Sequence, residues 1–130
     1  MNRIRPHIRD ERGQSATELA LVLPVFFLLL FGVIQFGVLY NNYVTLTDAV
    51  RAGARKAAVS RRAADPVGVT VSAVERSGSG LDGRLTVNVS SAWTHGSDVT
   101  VEATYPYTID LMGLVFASGD LRSSTTERVE

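Results

Sequence analysis

The chain has 130 residues, room for one small domain, and its 45% apolar content is ordinary for a globular protein. It holds no cysteine, which excludes a disulfide framework, thiolate metal sites and a cysteine nucleophile. The formal net charge of zero hides a basic start, a basic patch at residues 48–62 and an acidic remainder, in which four Arg face eight Asp and Glu after Asp65; such asymmetry suggests a basic helix meeting an acidic surface.

Residues 1–13 form a short leader with Arg3, Arg5, Arg9 and Arg12 against Asp10 and Glu11. Ser15-x-x-Glu18 follows with the spacing of a capping box, in which Ser15 caps a helix and Glu18 reaches back to the Ser15 amide. A carboxylate in the first turn also suits the helix dipole. Placed in a bilayer it would cost about 2.5–3.5 kcal/mol, so Glu18 beside an apolar block needs a reason. Residues 19–40 carry no charge. At ~1.5 Å per residue that run reaches about 33 Å, enough to cross a hydrocarbon core of ~30 Å, and a transmembrane helix is expected over 14–40. Within it, Pro24 removes a backbone hydrogen bond and invites a kink, and Gln35 is a lone polar side chain suited to bonding a neighbouring helix. The run exceeds the about 7–15 residues of a secretory signal and no A-x-A-like site follows it, which argues against a cleaved signal peptide. Arg9 and Arg12 are the basic residues nearest the span and favour a cytoplasmic N-terminus, with the C-terminal region extracytoplasmic; Arg51, Arg55 and Lys56 near the other end weaken that bias.

From 41 to 65 the pattern stays helical but becomes one-sided. Leu39, Tyr43, Leu46, Val50, Gly53 and Ala57 form an a/d stripe, with Leu46, Val50 and Gly53 as the expected packing positions. Asp65-Pro66 is expected to end this amphipathic stalk, near Ala64. The basic residues here have no interleaved aromatic set and no nucleic-acid-binding motif, so a solvated face or an acidic partner explains them better than nucleic acid. After Pro66 the period changes to two. Val67, Val69 and Val71 read as a first strand, Leu85, Val87 and Val89 as a second, Val99, Val101, Ala103 and Tyr105 as a third, and residues 121–129 as a weaker fourth. Gly- and Ser-rich links at 77–80, 82–83 and 95–98 suggest antiparallel pairing. The expected class is α+β: a long N-terminal transmembrane helix, an amphipathic stalk and a small antiparallel sheet of about four strands over 66–130. A core of that size is marginal alone and needs the stalk or a partner. Residues 107–119 are too apolar for a free loop and read as a short helix covering the sheet, or else as a docking patch for another subunit or the membrane surface. Trp93 reads as a core anchor.

No catalytic chemistry is legible. His7 lies in the leader and His95 stands alone, so neither a triad nor a His-based metal site can be assembled. The carboxylates of the C-terminal region are spread singly, unlike a calcium loop, and no phosphate-binding loop occurs. No cofactor is expected.

The run R-G-Q-S-A-T-E-L-A-L-V-L-P leading into F-G-V resembles the start of the TadE-like family, the minor pilins or pseudopilins of tight-adherence (Tad/Flp) pilus systems. V-R-A-G-A-R at 50–55, Y-P-Y at 105–107 and the closing T-E-R-V-E are similar to later features of that family. The resemblance implies a prepilin-type leader cut after Gly13 by a prepilin peptidase. That makes Gln14 the new N-terminus and Glu18 the fifth mature residue, placed to pair with the freed amine. It also implies a non-enzymatic subunit of the inner membrane, with other Tad pilins and an assembly platform as partners. The residues by themselves leave a second possibility open, an uncleaved single-pass protein displaying a binding module.

Overall fold

The computed structural model of the protein describes residues 11–111 and 113–130, with side chains from Gly13 onward. Most of the expected leader, including Arg3, Arg5, His7 and Arg9, lies outside the described residues, as does Met112. The chain divides into two compact units, Met1–Phe36 and Gly37–Glu130.

The first unit is described from Glu11 and is helical throughout, as the N-terminal part of α1 (Glu11–Ala58). Its apolar side chains are exposed, among them Leu21, Phe26, Leu29 and Val33.

The second unit holds the rest of α1, then α2 (Pro66–Ser77), β1 (Thr86–Ser91), β2 (Asp98–Leu111) and β3 (Leu114–Arg128). The strands form one antiparallel sheet in the order β1-β2-β3. The architecture is therefore α+β, with three strands rather than four.

The core explains why α1 continues here. Leu46, Ala49, Val50, Ala54 and Ala57 are fully buried, a helical stripe packed with the inward face of β2. That face is Val99, Val101, Ala103 and Tyr105, every second residue of the strand. Burying one such Val or Leu side chain contributes about 1.5–3 kcal/mol. Of the expected stripe, Leu46, Val50, Gly53 and Ala57 are buried, but Tyr43 is exposed. Gly53 has a specific reason to be glycine: a Cβ there would overlap Val74 Cγ2 of α2. Tyr105 is held from its open end by Arg84, whose guanidinium lies 5.5 Å from the ring centroid and donates to the phenol oxygen at 3.2 Å.

Three further expectations fail. The stalk ends at Ala58 rather than Ala64. Ser60 N–H donates to Ala57 O at 3.0 Å, turning the chain, and the Ala58 carbonyl accepts from Glu130 N–H at 2.9 Å. The run with Val67, Val69 and Val71 is helix α2, not a strand. Asp65 caps it, its Oδ1 accepting from Gly68 N–H at 2.9 Å, and Pro66 supplies the pre-set φ of a first helical position. Thr70 and Val74, one turn apart, are its buried residues. The link at 77–80 is accordingly the end of α2, where Gly78 N–H donates to Val74 O at 2.8 Å. Finally, residues 107–119 form no covering helix. They are the far part of β2 and β3, joined through residues 112–113 with Gly113 at φ 87°.

Candidate functional site

The residues at 13–18 occupy the first turns of α1. Because α1 starts at Glu11, Gly13, Gln14 and Ser15 already have helical backbone, and Ser15 is not the cap of a capping box. Glu18 is bonded by another route: Gln14 Nε2 donates to Glu18 Oε1 at 3.1 Å. Side chains four apart share a helix face, so this bond is a direct consequence of the Gln14-x-x-x-Glu18 spacing. The same stretch also carries the Ser15-x-x-Glu18 capping signature, which the helical backbone at Ser15 leaves unused. Thr17 Oγ1 donates to Gly13 O at 2.9 Å, so the Gly13 carbonyl is already engaged. All of these side chains are exposed.

Immediately beyond comes the apolar segment. Among the described residues, one helix is long and apolar enough to cross a membrane, with a mean hydropathy of 2.6 in its richest window. None of that window is buried by the rest of the chain. A core helix of a soluble protein would be covered by its own fold; this one presents bare apolar side chains all round, which is the condition lipid satisfies. Pro24 and Gln35 both lie within this helix, which continues through Pro24. Pro24 has no N–H to donate, so the Ala20 carbonyl lacks its usual helical partner.

Leu46, Val50 and Gly53 sit in the second unit, where they build its core and admit α2. The structure therefore groups the candidate residues into two sets: Gly13, Gln14 and Glu18 in the first turns of α1, with Pro24 and Gln35 farther along the same helix, and Leu46, Val50 and Gly53 in the folded domain. Elsewhere, Arg55, His95 and Glu127 line an open cleft at the end of α1. Among the described residues no group of three His, Cys, Asp or Glu is placed to hold a metal ion. Trp93 packs at the edge of the core with a positive φ of 53°, its backbone N–H donating to Ser91 Oγ at 3.1 Å; no periodicity announces that conformation.

A bare apolar helix at the N-terminus continuing into a small α+β domain defines a membrane-anchored protein. Residues 13–55 match the family described as TadE-like protein, which is the family the sequence resembles. The match covers the Gly13-to-Glu18 segment, the whole span and the α1 stretch through Arg55. No curated protein and no solved structure matches the chain.

Proposed function

We propose that the protein is a minor pilin or pseudopilin of a Tad (Flp) type IV pilus or secretion system, a structural or assembly-initiating subunit and not an enzyme. The family match over residues 13–55 carries this reading, and it begins at the residue that would precede the cut. A prepilin peptidase removes residues 1–13 on the cytoplasmic side, 14–40 span the inner membrane, and the amphipathic stretch 41–65 and the domain 66–130 lie outside. Cleavage requires an extended backbone, so the first turn of α1 must unwind. Glycine costs a helix roughly 0.5–1 kcal/mol relative to alanine, so unwinding is least opposed at Gly13. The cut frees an α-amino group on Gln14, one helical turn from Glu18. Pairing of that amine with a Glu18 carboxylate, in the same chain or a neighbour, offsets burial of both and sets the register between packed subunits. Pro24 and Gln35 are the span positions that meet neighbouring helices. The partners are the peptidase, other Tad pilins or pseudopilins, the inner-membrane assembly platform and the bilayer; nucleic acid is not among them.

The test is the intact mass of the protein extracted from membranes of cells with an active prepilin peptidase. The wild type is expected to begin at Gln14, and Gly13→Leu to stay longer by the leader. A wild-type chain that keeps residues 1–13 sinks the pilin reading and favours an uncleaved membrane-anchored binding module.

A further inference from the structure

β1 pairs with β2 only between Thr104 and Val99, so beyond Thr104 the sheet narrows to β2 and β3 alone. This ribbon runs from the Tyr105–Leu121 pair to the Leu111–Leu114 pair. A two-stranded hairpin without a covering layer is marginal in water. At its end Leu114, Val115 and Phe116 are 69%, 63% and 62% exposed. Successive strand residues point to opposite faces, so the tip is apolar on both sides. Residues 111–119 contain no charge, and Asp110 and Asp120 bracket them.

An antiparallel sheet packed on a single protein surface commonly keeps its other face polar and solvated. Apolar residues on both faces fit immersion in a medium that is apolar in every direction. The unpaired N–H and C=O groups along the ribbon's edges limit how deep it can go, because hydrocarbon cannot bond them. Three strand residues at ~3.3 Å each match the about 5–10 Å reach of an interfacial segment. Asp110, opposite Val115, is the one charged residue within this reach, so the ribbon stops at the headgroup boundary, where its carboxylate stays hydrated. Tyr107, whose ring lies against Gly119, stands at the level where an aromatic with a polar tip is favoured. The ribbon itself carries no cation, and Arg122, just below it opposite Thr104, is 4.0 Å from Asp120, so the attraction is to acyl chains and not to anionic headgroups. Within this unit the base of the sheet, where β2 begins and β3 ends, is tied to Ala58 by the Glu130 amide. The tip lies at the opposite end of the ladder. Val38 and Tyr40, the exposed close of the apolar run, are likewise about 27–30 Å of helix away from Ala58.

We propose that the β2–β3 hairpin tip, through Leu111, Leu114, Val115 and Phe116, inserts into the lipid interface as a second membrane contact of the protein. The proposal rests on the membrane span and is independent of the pilin assignment.

The chain has no cysteine, so single-cysteine variants place one fluorophore each. Full-length Phe116→Cys, Ser124→Cys and Gly32→Cys, labelled and reconstituted in phosphatidylcholine vesicles, are compared with and without a lipid-borne spin quencher. Labels at 32 and 116 are expected to lose emission, the label at 124 to keep it, and anionic lipid to change nothing. Leu114→Asp in the Phe116→Cys chain should restore the emission at 116; continued quenching there would mean that the dye drives insertion, which overturns the proposal. A label at 116 that keeps its emission while 32 loses it overturns the proposal and leaves the anchor standing. A label at 116 shielded from a soluble quencher yet blind to the lipid one shows a protein contact instead. Emission kept at both 32 and 116 sinks the anchor and the hairpin proposal together.

Discussion

Glu18 and Gly53 show how one side chain, or its absence, answers to its surroundings. Glu18 accepts a hydrogen bond from Gln14 along the helix face, a contact that a glutamine at 18 would also satisfy with its own carbonyl. Pairing with a freed amine is different, because only an ionised carboxylate balances a buried ammonium, and an unpaired one costs about 3–5 kcal/mol. Glu18→Gln is therefore expected to insert and be processed yet fail to co-purify with the other pilus components, with Glu18→Asp in between. Normal co-assembly of the glutamine variant would reduce Glu18 to its contact with Gln14, and so would pyroglutamate at the assembled N-terminus. At Gly53 two effects oppose each other. Alanine gains about 1 kcal/mol of helix propensity. Its Cβ meets Val74, a buried β-branched side chain with little rotamer freedom, and overpacking costs about 1–3 kcal/mol. Gly53→Ala should be destabilising by about 1 kcal/mol, and Val74→Ala should relieve it, with a coupling of at least ~0.5 kcal/mol in a double-mutant cycle. Strictly additive losses in detergent unfolding would rule out the contact.

At the scale of elements, α2 is the instructive case. Its three valines alternate as in a strand, yet Asp65-Pro66 is also a cap followed by a first helical position, and the cap bond is made. Residue 65 begins this helix; it does not end the one before. Asp65→Ala is expected to cost about 1 kcal/mol in thermal unfolding and Asp65→Asn only a few tenths, since asparagine keeps the accepting oxygen. An equal loss in both variants would show that the charge, and not the hydrogen bond, supports α2. Strands β1 and β2 follow their alternation faithfully because β2 is central and has one face on α1. β3 does not, since its residues 114–120 are exposed on both faces and no burial imposes a period.

For the folded unit as a whole, the closing residues matter more than their number suggests. Val129 is buried, its carbonyl accepts from Gly96 and its amide donates to Ser97 O, while Glu130 bonds the Ala58 carbonyl. The end of α1, the β1–β2 connection and the end of β3 thus share one stitch. Removing two buried carbons costs about 2 kcal/mol, so Val129→Ala should lower stability by roughly that amount. Hydrogen exchange at the Gly96 and Glu130 amides should quicken together; faster exchange confined to Glu130 would show that the stitch does not couple these elements.

The membrane span, the Gly13-to-Glu18 spacing, the α+β class and the two strands of the core were all legible in the residues. Partition of an apolar run into lipid adds up locally, residue by residue, so a window of residues 19–40 carries the answer wherever the chain goes next. The tertiary structure tipped the balance for 66–77, where a local cap competes with a strand-like alternation, and fixed that α1 stops at Ala58 and that 107–119 is an exposed ribbon. Each of these turns on a distant partner: Gly53 leaving room for Val74, Glu130 reaching Ala58, and β1 ending before it can cover the hairpin. Short segments have weak and conflicting local preferences, and a contact dozens of residues away is enough to choose between them.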